Sequence, residues 1–291
     1  MKLKFFGYFI FIAATIIFSL NVHFPRKATA KYIERFFSQL NAQVKLQIDD
    51  VDPSFPSGIK IDSIQVSYSG MPIATLTNFK SSLDLTTVFD KKTMKGFFKT
   101  DVFDGFLSGS ALISKVKPRQ IDNETKIENL NLKNIHLGKF LLDCNFSGIL
   151  NGTIDAEFNQ GHMMKNHGEV KLADITLQFP ETIFPVETFS FSNGNIKFVV
   201  PQHNIIRIEE FLMKGRQVDI ISSGEIRVNE NFQRSTLNLN ARLVLYPLFF
   251  MNAGANKNVN HLKRDSDNAI INLRIGGTIQ NPTISMEQKS K

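Results

Sequence analysis

Val170-Lys-Leu172-Ala-Asp-Ile175-Thr-Leu177 carries apolar residues at offsets 0, 2, 5 and 7. On a helix these offsets scatter around the axis, so no amphipathic stripe forms. On a strand each half alternates with period 2, but the central pair breaks the phase. A straight strand would then send the two halves' apolar residues to opposite faces. A β-bulge at the central pair absorbs the extra residue and keeps one apolar face. The pattern recurs at Ile59-Lys-Ile61-Asp-Ser-Ile64-Gln-Val66, Leu130-Asn-Leu132-Lys-Asn-Ile135-His-Leu137 and Ile206-Arg-Ile208-Glu-Glu-Phe211-Leu-Met213. Bulges or sharp bends are therefore expected at Asp62-Ser63, Lys133-Asn134, Ala173-Asp174 and Glu209-Glu210. A shuffled chain of this composition would give about one strict match. Two copies here are strict, and Ala173 and Leu212 are the departures in the others.

Weight comes from the surrounding segments. Residues 44–48 alternate cleanly, and 59–68, 71–76, 79–85, 97–106 and 107–114 read as strands. Residues 86–92 form a break with room for one helical turn. Residues 115–124, with Pro118, are a polar connector and the candidate internal boundary. Further strands are expected at 130–137, 147–158, 168–179, 195–200, 205–213, 218–228 and 237–245. Gly, Asn and Pro punctuate them. Residues 245–251 are apolar around Pro247, and 252–268 are a polar loop. Residues 270–275 form a closing strand, and 276–285 turn into a last one.

The chain has 291 residues and a formal net charge of +7, with 27 acidic residues interspersed among 34 basic ones. No basic run with interleaved aromatics appears, so nucleic-acid binding is not expected. The single cysteine, Cys144, excludes an intramolecular disulfide and reads as a buried apolar thiol.

Met1-Lys-Leu-Lys4 precedes an uncharged apolar run over residues 5–22. As a helix it spans about 27 Å, enough for a bilayer core. Two readings stand: an uncleaved anchor, or a signal peptide cleaved after Ala28-Thr-Ala30. The length of the run, and Pro25, Arg26 and Lys27 between it and that site, favour the anchor. Ile33, Phe36, Phe37 and Leu40 then fall at helical spacing. This helix either lies on the membrane interface or caps one end of the β core. The organisation is a tail at 1–4, an anchor at 5–22, a linker and amphipathic helix at 23–43, and a β-rich domain over 44–291.

A search for chemistry finds little. Asp49, Asp50 and Asp52 lie in a turn-rich loop without calcium-loop spacing. His162 and His167 lack metal-site spacing, and Glu209-Glu210 occupies a bulge position. There is no nucleophile elbow, P-loop or dinucleotide fingerprint. No catalytic residue, metal or cofactor is expected, and the chain is not read as an enzyme.

Other features carry a resemblance. His23-Phe24-Pro25, the loop Asp52-Pro-Ser-Phe-Pro-Ser-Gly-Ile-Lys-Ile61, the strand Met71-Pro-Ile-Ala-Thr-Leu76 and the closing Gly276-Gly-Thr-Ile-Gln-Asn-Pro282 together resemble the GspN proteins of type II secretion systems. Gly148-Ile-Leu-Asn-Gly-Thr-Ile154 is similar to the wider AsmA/TamB-type proteins. The resemblance implies a single-pass bacterial inner-membrane protein with a cytoplasmic tail and a periplasmic body. The implied fold is mainly β: one N-terminal transmembrane helix and a short amphipathic helix, then a large curved antiparallel β-sheet of AsmA type. It implies a β scaffold or interaction module of a type II secretion system, with other subunits as partners. The alternative is an AsmA-like groove serving the cell envelope, with phospholipid acyl chains as partners. Ile59, Ile61, Leu130, Leu132, Val170, Leu172, Ile206 and Ile208 are the candidate groove face; in a closed core they would simply pack on one another.

Overall fold

The computed structural model describes residues 15, 19, 22–40, 43–117, 120–134, 145–159, 162–178, 188–202, 204–229, 231–252 and 269–286. The expectation of a mainly β chain holds, and all strand pairing is antiparallel. The chain divides into two compact units, 1–102 and 103–291. All of the expected anchor except Thr15, Ser19 and Val22 lies outside the described residues, as do Cys144, Ile135, Leu137, Pro118 and 253–268. Among the described residues no helix is long and apolar enough to cross a membrane. Of the expected connector at 115–124, the described part is a turn at 115–117 and the start of a strand at Gln120.

The first unit holds α1 (Arg26–Leu40), β1 (Val44–Ile48), β2 (Val51–Ser54), β3 (Gly58–Tyr68), β4 (Met71–Leu83), α2 (Leu85–Val88) and β5 (Thr93–Val102). One edge of β3 pairs with β1 and β2 in turn, and its other edge pairs with β4, which pairs with β5. Asp84 starts α2 by accepting from the Thr86 amide at 3.0 Å, which helps hold its carboxyl below its ordinary pKa, after the larger effect of the Thr86 hydroxyl. Ala30, Ile48, Val51, Ile61 and Ile64 form the core. α1 packs its Ala30 and Ile33 side on this core, which is the capping contact its sequence left open, and leaves its other sides exposed.

The bulge expected at Asp62-Ser63 needs correction. Ile61 and Ile64 are both buried, so the phase does change there. Yet Ile61 pairs with Phe79 and Ser63 with Thr77, with no register shift between them. The partner strand changes phase at the same level, because Leu76 and Phe79 both pack on this core. An extra residue in each strand cancels in the register. The distortion falls on Asn78, opposite Asp62, at φ 53; asparagine tolerates this left-handed backbone better than most residues. Its side chain donates to Asp101 at 2.8 Å.

Among the described residues the second unit is a meander of ten strands in chain order: β6 (Gly105–Ser114), β7 (Gln120–Asn131), β8 (Asn145–Asn159), β9 (His162–Gln178), β10 (Thr188–Gln202), β11 (Ile205–Gly215), β12 (Val218–Arg227), β13 (Thr236–Leu245), β14 (Ala269–Gly277) and β15 (Pro282–Met286). A six-residue helix, α3 (Pro247–Asn252), follows β13. Phe103 and Asp104, both at positive φ, break the strand expected over 97–106.

One of the expected bulges is present here in place, and a second is shifted by one residue. In β11, Ile208 pairs with Gly224 and Phe211 with Ser222, so Glu209 and Glu210 together face Ser223. On its other edge Lys197 pairs with Glu210 and Phe198 with Ile208, leaving Glu209 extra. In β9, Ala173 pairs with Ile149 and Thr176 with Ser147, so Asp174 and Ile175 face Gly148, one residue beyond the expected Ala173-Asp174, and Asp174 has φ 51; on the β10 edge the register runs through without a shift.

The bulge expected at Lys133-Asn134 is overturned. β7 ends at Asn131, and Leu132–Asn134 is one 3-10 turn. The Asp104 carboxylate accepts from the Asn134 side chain at 2.7 Å and holds that turn. The real bulge of β7 is Glu128-Asn129 facing Asn151, whose side-chain oxygen accepts from the Asn129 amide at 2.8 Å. Thr125, Ile127, Leu130 and Leu132 thus occupy offsets 0, 2, 5 and 7. The unit is there, but its frame begins five residues earlier, at a threonine.

Candidate apolar sheet face

Register alone sorts the second unit into two faces. Through the bulges, Ile206, Ile208, Phe211 and Met213 stay on one side of β11. They stand level with Ile226, Gly224, Ser222 and Ile220 of β12. These in turn align with Leu237, Leu239, Ala241 and Leu243 of β13, and Leu239 and Leu243 with Ile275 and Ile271 of β14. The other way, Phe198 and Ile196 lie beside Gly168 and Val170 of β9. The opposite face is charged, with ion pairs Arg207–Glu225 at 2.9 Å and Lys126–Glu128 at 2.8 Å, and the His167 ring 3.0 Å from the Asp155 carboxylate. Such exposed pairs add little stability, about 0–1 kcal/mol each, and mark that side as solvated.

One end of the apolar face is closed. α3 brings Phe249, 2% exposed, into a cluster with Leu132, Ile175, Phe189, Phe191 and Met213. Phe249 stacks on Phe189 at 6.4 Å between centroids. Tyr246, just before α3, donates to the Asp219 carboxylate at 2.9 Å, and the Gly215 amide donates to that group's other oxygen at 3.0 Å. The carboxylate acceptor, and then burial, push the Tyr246 phenol above its ordinary pKa.

Away from α3 the same face continues without cover among the described residues. Ile121, Ile154, Phe158, Ile206, Ile208, Ile226, Leu237, Leu239, Leu273 and Ile275 are all half-buried and belong to neither core cluster.

The eight candidate residues divide accordingly. Ile59 and Ile61 pack in the first unit's core. Leu132, Val170 and Leu172 sit in the closed end of the second unit, and Leu130 is buried outside both clusters. Ile206 and Ile208 lie on the open stretch. Phe249 and Gly194 belong to this face without matching the apolar motif. A Pro at the first helical position was the available signal for α3. Gly194 stands at the third apolar offset of Phe189-Ser-Phe191-Ser-Asn-Gly194-Asn-Ile196, and a Cβ there would meet Leu172 and Ile175 at 3.3 Å each.

No group of three or more His, Cys, Asp or Glu that could hold a metal occurs among the described residues. The geometry offers an apolar surface bounded at one end, which can exclude water from a chain-like hydrophobic ligand. In comparison with known proteins, no family model, curated protein or solved structure matches this chain.

Proposed function

We propose that the chain is an inner-membrane-anchored protein, with its β-rich body in the periplasm, whose second unit lays lipid acyl chains along the open stretch of its apolar face. One observation carries this reading: Ile206, Ile208, Ile226, Leu237 and Leu239 are aligned on the core side of the sheet and remain partly exposed. A sheet with one apolar face requires a layer over it, and among the described residues α3 supplies that layer at one end only. Residues 5–22 serve as the anchor, and the motifs shared with AsmA/TamB-type proteins favour the same assignment. The test is lipid extraction and mass spectrometry of the purified full chain, beside Ile206→Asp/Ile208→Asp. Stoichiometric phospholipid that the double variant loses is the expected result. A folded wild-type protein free of lipid would overturn the proposal.

A second reading, a scaffold subunit of a type II secretion system, is favoured by β15. All five of its residues are exposed, and among the described strands it pairs only with β14. Such an edge can accept a further strand. Crosslinking from Thr283 in cells is expected to capture secretion subunits if this reading holds, and capture of none would eliminate it.

A further inference from the structure

We infer that the outward side of α1 docks on an anionic lipid surface. This inference rests on residues 5–22 being the anchor proposed above. It concerns a different surface from the acyl-binding face.

α1 divides its residues among three directions. Toward the sheet it sends Ala30, 3% exposed, and Ile33, which packs on the core of the first unit. Glu34 also turns that way and accepts from the Ile48 amide at 2.7 Å. Arg26 pairs with Asp52 at 3.0 Å. With the sheet side thus committed, two stripes point elsewhere. Lys27, Lys31 and Arg35, four apart, line one of them, and all are exposed. Tyr32 and Phe36, also four apart, line the next, at 70% and 48% exposed. Phe37, 42% exposed, meets Phe36 edge-on at 6.0 Å.

The helix has one acidic residue, Glu34, and the sheet consumes it. Its outward surface therefore carries three positive charges, no negative charge and the two aromatic rings of Tyr32 and Phe36. That chemistry fits the headgroup layer of an anionic bilayer: cations meet phosphate, and aromatic rings settle at the boundary with the acyl region. An acidic protein surface would match the charges equally well. The chain's continuity favours lipid, because the uncharged run ends at Val22, four residues before Arg26.

The protein contains no tryptophan, so Phe36→Trp gives a single reporter at an already exposed position. The full chain carrying this substitution is reconstituted into nanodiscs of brominated phosphatidylcholine, with and without phosphatidylglycerol. Bromine quenching of the indole is expected with phosphatidylglycerol and is weaker without it. Adding Lys27→Gln, Lys31→Gln and Arg35→Gln lowers the docked-to-free ratio on the order of a hundredfold, about fivefold per charge. An unquenched indole in both lipids overturns the inference, and so does quenching indifferent to lipid charge and to the triple substitution. Protein that fails to co-purify with the zwitterionic discs overturns the anchor instead. Quenching on anionic brominated vesicles then decides the docking of α1 alone: its presence supports the inference and its absence overturns it.

Discussion

Deleting Glu209 tests how β11 keeps its apolar residues on one side. The deletion gives one residue opposite Ser223 instead of two and removes the irregularity at that level on both edges of the strand. A straight β11 must then turn one of its halves over. Turning the Phe211 and Met213 half removes one core residue at 4% exposure and one partly buried ring from the cluster. At about 1.5–3 kcal/mol per side chain, that costs about 3–6 kcal/mol. Turning the Ile206 and Ile208 half costs less, about 1–3 kcal/mol, because these residues are already partly exposed. It also places Arg207 on the apolar side and breaks its pair with Glu225. The cheaper response dominates, so the expected loss is about 1–3 kcal/mol, or about 2–12 °C in Tm for a unit of this size. Glu209→Ala keeps the residue count and should stay within about 0.5 kcal/mol of the parent. Denaturant unfolding of the three proteins gives the comparison, and amide exchange should show the loss of protection concentrated in residues 205–208. A deletion as stable as Glu209→Ala, with unchanged exchange, would refute the bulge as the device that holds the face.

Other outcomes follow from the closed end. Phe249→Ala should destabilise the second unit by about 3–5 kcal/mol in denaturant unfolding, because a ring at 2% exposure leaves a cavity under α3. Tyr246→Phe should cost about 1 kcal/mol at neutral pH, through the lost hydrogen bond to Asp219. The Tyr246 pKa is raised in the folded state, so this stability is fully present below the ordinary tyrosine pKa of about 10 and is lost as pH rises through the folded value. The gap between parent and variant should therefore close in alkaline unfolding experiments, and a gap that widens with pH would contradict the assignment.

The strands were legible in the sequence because period-2 alternation survives within each half-strand. The phase breaks were legible only where all four marker positions are apolar. β11 and β9 meet that condition; the β11 bulge lies where the pattern put it, and the β9 bulge lies one residue further on and on one edge only. β7 uses Thr125 at the first position, so a later and accidental match at Leu130 took its place. β10 uses Gly194 on the core side, where a neighbouring strand leaves no room for a Cβ without adjustment, and a hydrophobicity count passes over it. At Asp62 the phase change was real, but a single strand cannot reveal that its partner changes phase with it. α3 was hidden because Pro247 inside an apolar run reads as a breaker, whereas a proline at a helix start is favoured. The candidate face was read from four strands. The pairing extends it to Ile226, Leu237 and Leu239, which belong to no copy of the motif.

Site-specific photocrosslinking in cells tests the acyl-binding face most directly. A benzoylphenylalanine at Ile208 points to the apolar side, and one at the adjacent Arg207 to the charged side. Lipid adducts at position 208 and none at 207 are the predicted result. Adducts at neither position, or equally at both, would contradict the claim that this face carries lipid.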